Sequence, residues 1–247
     1  MDSVNEQLRF IAENGNVAKL ESLLLDPKCD PLSKDEAGLT ALMWAASSGH
    51  ISCIHLLLPM SDALAKSENS STALMLAACG DYAACVNILL PVSDPLEQNS
   101  YGMTALMYAS LNGSVECIEL LIPVSNPLAK DSDDKSALMW AASSGDLSCI
   151  NILLPVSDPL AQSKSDSTAL MYTALEGDEP CVRLLLPVSA VLATNKDGQT
   201  ASHLATAHGH PQLAMLIDAY AVSQSENLAL NSVVSAVAPQ KRSSLRV

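Results

Sequence analysis

The chain repeats itself every 32 residues. The step Thr/Ser-Ala-Leu falls at Thr40, Thr72, Thr104, Ser136 and Thr168, and Thr200-Ala-Ser is a final variant. A proline keeps the same spacing at Pro59, Pro91, Pro123, Pro155 and Pro187. Self-similarity at a fixed period between about 20 and 50 residues marks a stack of small units that share one continuous core. That overrides the expectation of one or two independent domains that 247 residues would otherwise set.

Within a unit the local chemistry is legible. Thr40 suits a helix N-cap, because its hydroxyl can accept an orphan amide of the first turn. Ala41 to Ser48 then read as a short helix that ends at Gly49, a residue suited to the left-handed conformation. Ile51 to Leu58 read as a second helix, which Pro59 cannot continue. Ser61-Asp-Ala-Leu and its relatives Ser93-Asp-Pro-Leu and Ser157-Asp-Pro-Leu supply turn residues that lead into an extended loop. Apolar residues reach 49% but aromatics only 3%, so Ala, Leu, Ile, Val, Met and Cys must do the packing.

Residues 1–34 read as an N-terminal capping repeat. Leu8, Ile11 and Ala12 line one helix, Gly15 stops it, and Val17, Leu20, Leu23 and Leu24 line a second. Arg9, Glu13, Lys19 and Glu21 keep its outer face polar, as a terminal unit requires. Full units then span 35–66, 67–98, 99–130, 131–162 and 163–194, with a C-terminal capping repeat at 195–225. In the tail 226–247, Leu228 to Val237 read as one more short helix and the basic end as disordered.

The pattern Thr-Ala-Leu-Met-x-Ala-Ala-x-x-Gly-His, followed by Cys-Ile-x-Leu-Leu-Leu, resembles the ankyrin repeat, whose usual signature is T-P-L-H-x-A. The resemblance covers roughly residues 5–220 and holds in six registers. It implies an all-α solenoid of about seven helix-turn-helix units with capping terminal repeats. Ala stands where the family has Pro, and Met43, Met75, Met107, Met139 and Met171 stand where it has His. The period is one residue short of the family's usual length of about 33. The gap falls at Pro59-Met-Ser, where the family has a Gly-containing helix end, so proline takes over the stopping role and the fold is expected to persist.

Several constellations that suggest chemistry read better as structure. Cys53, Cys85, Cys117, Cys149 and Cys181 form a column, but units stacked ~8–10 Å apart cannot bring such cysteines within bonding range. Zinc would need four converging ligands. The column is read as core packing, with Cys acting as a small hydrophobe. His203 and His210 fill places where the resemblance itself puts His, holding neighbouring loops. Trp44, Tyr108, Trp140 and Tyr172 share a column with Leu76 and Leu204 that family members bury between helices. No HExxH, GxSxG or Walker loop is present, and Asp62, Asp94 and Asp158 are turn residues in register. No catalysis, metal or cofactor is expected.

The formal charge is −14, and residues 1–240 hold 27 acids against 10 bases, because Lys241, Arg242 and Arg246 lie beyond them. Such a surface repels nucleic acid and favours a basic protein partner. No run approaches the 18 apolar residues of a membrane span, and no signal peptide is read at the N-terminus. Free thiols suit a reducing, cytoplasmic setting.

In the family that the sequence resembles, partners are held by loop tips and by the last residues of the first helix. Carried onto this sequence, those places are Glu36, Leu39 and Ser48, then Glu68 and Asn69. They continue with Tyr101, Met103, Leu111 and Asn112, then Asp133 and Lys135, and finally Lys164, Leu175 and Glu176. Tyr101, Met103 and Leu111 stand out as an apolar patch, the composition in which binding energy concentrates. The expected function is non-catalytic protein binding by a monomer through its concave face. An adaptor or inhibitor, a secreted effector and a toxin-immunity protein all fit that description. The alternative is a structural spacer whose basic C-terminal tail does the docking.

Overall fold

A computed structural model describes residues 3–237, with side chains described through residue 227. It contains fourteen α-helices and no strand among the described residues. Val4–Glu13 (α1) and Val17–Leu23 (α2) form the first pair. The pairs Ala41–Ser47 (α3) with Ile51–Leu57 (α4), Ala73–Cys79 (α5) with Ala83–Leu89 (α6), and Ala105–Leu111 (α7) with Val115–Leu121 (α8) follow. Ala137–Ser144 (α9) with Leu147–Leu153 (α10) and Ala169–Glu176 (α11) with Glu179–Leu185 (α12) come next. Ala201–Ala207 (α13) and Pro211–Val237 (α14) close the stack.

A helix of seven residues is two turns and is marginal on its own in water. Each inner helix is fixed at its start by the expected cap, as Thr40 Oγ1 accepts the Met43 amide at 3.3 Å and Thr104 Oγ1 that of Met107 at 3.2 Å. It is held along its length by tertiary burial. In α3, Ala41, Leu42, Met43, Ala45 and Ala46 are all buried, and the small side chains let neighbouring inner helices approach closely. The outer helix contributes Cys53, Ile54 and Leu57 to the same core. Burying one such leucine contributes roughly 1.5–3 kcal/mol.

Inner helices α1, α3, α5, α7, α9, α11 and α13 pack in sequence order, and outer helices do the same behind them. Each unit therefore touches only its neighbours, which is the one-dimensional arrangement that the repeat implies. Left-handed backbone follows each inner helix, at Gly15, Gly49, Gly113, Gly145, Gly177 and Gly209. In the α5–α6 pair the non-glycine Asp81 takes that place (φ 59°), and Gly80 is the preceding helix cap.

The proline does not end the outer helix abruptly. After α4 the chain tightens into a 3-10 turn, Leu58–Met60, with Pro59 inside it, and the same turn follows α6, α10 and α12. At the end of the chain, residues Leu228 to Val237 are not a separate helix. They continue α14 without a break. The basic end expected to be disordered, residues 238–247, lies outside the described residues.

Cys53, Cys85, Cys117, Cys149 and Cys181 are buried, Cys29 is half-buried and Cys79 is exposed. Burial pushes the Cys117 and Cys149 thiols up to about 12, and that of Cys181 to about 11, from an ordinary 9.0. In the unfolded chain these thiols ionise first, so their contribution to stability is complete below about pH 9 and is lost as pH rises towards 12. A disulfide reagent at pH 8 is expected to modify Cys79 at once and Cys29 more slowly, and to reach the other five only on unfolding. The urea midpoint is expected to fall steadily above about pH 9. Prompt reaction of the buried column at pH 8 would contradict this packing.

Candidate partner-binding face

The loops between units project as fingers, and each is built by its own side chain. Asp35 Oδ1 accepts the amides of Ala37 (3.0 Å) and Leu39 (2.8 Å), closing the finger tip. Asn99 does the same for Tyr101 and Met103, and Asp131 for Asp133 and Lys135. Successive fingers are joined by main-chain hydrogen bonds, with Glu68 N donating to Ala37 O at 2.9 Å, Ser100 N to Asn69 O at 2.8 Å and Ser132 N to Tyr101 O at 2.9 Å. Lys164 N and Lys196 N continue the series, so the fingers form one ladder beside the inner helices.

The aromatic column lies in the angle between finger and inner helix. It is half-buried rather than fully enclosed, and its polar atoms are spent inside the protein. Trp44 Nε1 donates to Asp35 Oδ2 at 2.8 Å and Trp140 Nε1 to Asp131 Oδ2 at 2.9 Å. Tyr108 accepts at its hydroxyl from Asn99 Nδ2 at 2.9 Å, and the Tyr172 hydroxyl donates to Ser163 Oγ at 3.4 Å. Burial pushes the Tyr108 phenol up, and the hydrogen bond from Asn99 only partly opposes it. Where the column holds Leu76, the partner place holds Ser67, which turns to Asn69 instead. Each of the four aromatics is thus bonded to the residue nine places before it. Sequence reading missed the pairing, although Asp stands nine places before both tryptophans and at no other unit's equivalent place.

Open clefts lie on this face, and two of them carry charge beside aromatics. The first, of about 770 Å³, sits at the N-terminal end between α1 and the first finger. Phe10, Trp44, Arg9 and Lys34 line it with the acids Glu6, Glu13 and Glu36. Phe10 is 66% exposed. It is the chain's one phenylalanine, outside the Leu8/Ala12 face of α1, and that displacement was the available signal. The second cleft, of about 470 Å³, lies among the later fingers and carries Lys135, Lys164 and Lys196 around Tyr172. Lys135 Nζ stands 4.3 Å from the Trp140 ring centre and 4.8 Å from that of Tyr172, so its charge is held against aromatic faces.

The predicted site residues divide. Glu36, Glu68, Asn69, Tyr101, Asn112, Asp133, Lys164 and Glu176 are exposed, Tyr101 to 59%. Ser48, Leu39, Leu111, Lys135 and Leu175 are half-buried, and Leu39 packs against the core. Met103 corrects the expected patch, being only 6% exposed and part of the core. Its amide is drawn to Asn99 Oδ1, and it immediately precedes the cap Thr104, in the register where Leu39 packs inward and Ser71 is buried. Asn112 is tied across to the preceding unit, donating to Cys79 O at 2.9 Å. His203 is engaged locally, with Nδ1 2.9 Å from Thr200 Oγ1. Among the described residues no cluster has the make-up of a metal site, and no helix is long and apolar enough to cross a membrane.

A family model for ankyrin repeats (3 copies) matches residues 8–99, 83–164 and 138–225. The chain belongs to the ankyrin-repeat family. It is similar in fold to the crystal structure of the human ASB11 ankyrin repeat domain, with a TM-score of 0.78 over 85% of this chain and 96% of that one, at 22% sequence identity. No curated protein matches it. Ankyrin repeats generally mediate protein–protein interaction and are generally non-catalytic. The fold therefore tolerates a 32-residue unit.

Proposed function

We propose that the chain binds another protein along its concave face, as a monomer and without chemistry of its own. The observation that carries this reading is the row Trp44, Leu76, Tyr108, Trp140 and Tyr172, half-exposed beside the finger ladder. The polar atoms of the four aromatics are satisfied within the protein, so what the row offers a ligand is apolar surface. Amphipathic aromatics of this kind concentrate binding energy when a partner excludes water around them. Phe10 extends the row at one end, and Tyr101 and Leu111 stand at its middle.

Charge selects the orientation of the partner. Glu6, Glu13, Glu36 and Glu68 lie at the N-terminal end, where Arg9 is engaged by Ser33 Oγ and Lys34 by Lys66 O. That end takes basic side chains. The later cleft sets Lys135, Lys164 and Lys196 against one acid, Asp133, and takes acidic ones, so a uniformly basic ligand fits only part of the groove.

The test is affinity capture from source-cell lysate, comparing the wild type with Phe10→Ser/Tyr101→Glu/Leu111→Glu at two salt concentrations. The variant is expected to keep its far-UV circular dichroism and to lose a protein that the wild type retains. Recovery of the same set by both baits would overturn the concave-face reading. Loss of the protein on deleting residues 238–247 alone would assign docking to the tail.

A further inference from the structure

We propose a second docking surface, on the edge of the stack where the outer helices end, that takes a basic amphipathic α-helix with a heptad apolar seam. Leu32, Leu64, Leu96, Leu128, Leu160 and Leu192 recur there every 32 residues and are 53–73% exposed. Four residues before each of the last five stands Met60 or one of four valines, 39–47% exposed. Two parallel rows of apolar side chains thus run the length of the protein in water.

The fold does not require them. The turn that carries Leu64 is closed by Asp62 Oδ1, which accepts the Leu64 amide at 2.9 Å, and Asp94, Asn126 and Asp158 close the equivalent turns. The leucine side chain takes no part in any of them. Nor do exposed positions of this chain in general keep one residue type. The finger-tip column that begins at Glu36 and Glu68 changes to serine and then to Lys164 and Lys196. The leucine row is unchanged in six units, although a continuous apolar patch is a liability for a soluble chain unless something covers it.

Charge and spacing identify what would cover it. Exposed carboxylates of Asp30, Asp62, Asp94 and Asp158 accompany the row, two residues before the leucine. The cations on its other flank are engaged within the stack, with Lys34 Nζ donating to Lys66 O, Lys130 Nζ to Gln162 O, and Lys66 paired with Glu97 at 2.6 Å. Asp30, Asp62, Asp94, Asp158 and Glu97 outnumber Lys34, Lys66 and Lys130 along it, so the edge is net acidic. It repels an anionic lipid surface and a second copy of a chain that carries −14. Units stacked at helix-packing distance repeat every ~8–10 Å. An α-helix returns the same face every seven residues, or ~10.5 Å, and offers two apolar positions per heptad. Each of the last five units here also offers two. A helix with Leu at both seam positions and Lys or Arg beside them meets both rows and the carboxylates at once.

The test uses the full chain and a synthetic helix of four heptads with a leucine seam and lysine flanks. Two controls accompany it, one with the same composition but leucines moved off the seam, and one with glutamate flanks. Titration by fluorescence anisotropy is expected to show the seam peptide binding at least about tenfold tighter than either control. Leu64→Ser/Leu96→Ser/Leu128→Ser is expected to abolish the difference, while Tyr101→Glu on the concave face leaves it intact. The three leucines are exposed, so the variant is expected to retain wild-type circular dichroism. Equal binding of the off-seam peptide would reduce the effect to general charge attraction and overturn the proposal. So would full retention of binding by the triple variant. Self-association of the chain abolished by the same substitutions would assign the rows to a second copy instead. Binding to neutral phospholipid vesicles would assign them to a lipid surface.

Discussion

Gly102→Ala is expected to destabilise the stack by roughly 2–3 kcal/mol, about 1–2 of it from the left-handed backbone alone. Gly102 sits at φ 72° at the finger tip, and a Cβ there would lie 2.6 Å from Ser132 N and 2.8 Å from the Asp131 Cα and carbonyl carbon. Those atoms are the main chain of the next finger, which cannot swing aside as a side chain would. Relief requires the two fingers to separate, which strains the hydrogen bond from Ser132 N to Tyr101 O. The converse substitution tests the same physics. Ser70 holds the equivalent place with φ 62° and no glycine freedom, so Ser70→Gly is expected to raise stability by roughly 0.5–1 kcal/mol. Urea denaturation of the two variants measures both, and a Gly102→Ala midpoint equal to that of the wild type would contradict the finger geometry.

Asp131→Asn is expected to cost roughly 1.5–3 kcal/mol, the range for a buried hydrogen bond to a charged group. The amide oxygen of Asn can still close the finger tip on Asp133 N and Lys135 N, as Asn99 does for its own finger. Its NH2 group then faces the Trp140 indole N–H, donor against donor, where a carboxylate oxygen now accepts at 2.9 Å. Adding Trp140→Tyr supplies a hydroxyl that can accept, and recreates the Asn99–Tyr108 pair of the preceding unit. A double-mutant cycle is therefore expected to show the pair less destabilised than the sum of the single changes by roughly 1–2 kcal/mol. Strict additivity would mean that the two columns are not coupled.

The positions of the short helices in the full repeats were readable from local chemistry because the signals act over three or four residues. Thr104 caps α7 because its hydroxyl reaches the third amide, and Gly113 follows because left-handed backbone favours a residue without Cβ. The cysteine column was equally legible, since a small apolar group at a fixed place in every outer helix has nowhere to go but the shared core. Met103 was misread because exposure of a loop residue depends on which way the finger closes. Closure is decided by Asn99, four residues earlier, which draws the Met103 amide inward. Phe10 and the exposed leucine rows escaped notice for the opposite reason. An apolar residue in a stacked unit reads as core until the packing shows that nothing among the described residues covers it.

By itself the sequence determined the period, the starts of the inner helices, the stacking order and hence the family. Each of these follows from backbone chemistry repeated in register, and a repeat that buries its face only against its neighbours leaves one architecture open. Tertiary structure alone decided which apolar side chains are spent inside and which are left for partners. Trp44 and Trp140 are satisfied by carboxylates nine residues away in the chain, and Leu64 and Leu96 are held out by turns closed without them. Burial is a property of the space between fingers, helices and neighbouring units, and no window of sequence shorter than that assembly contains it.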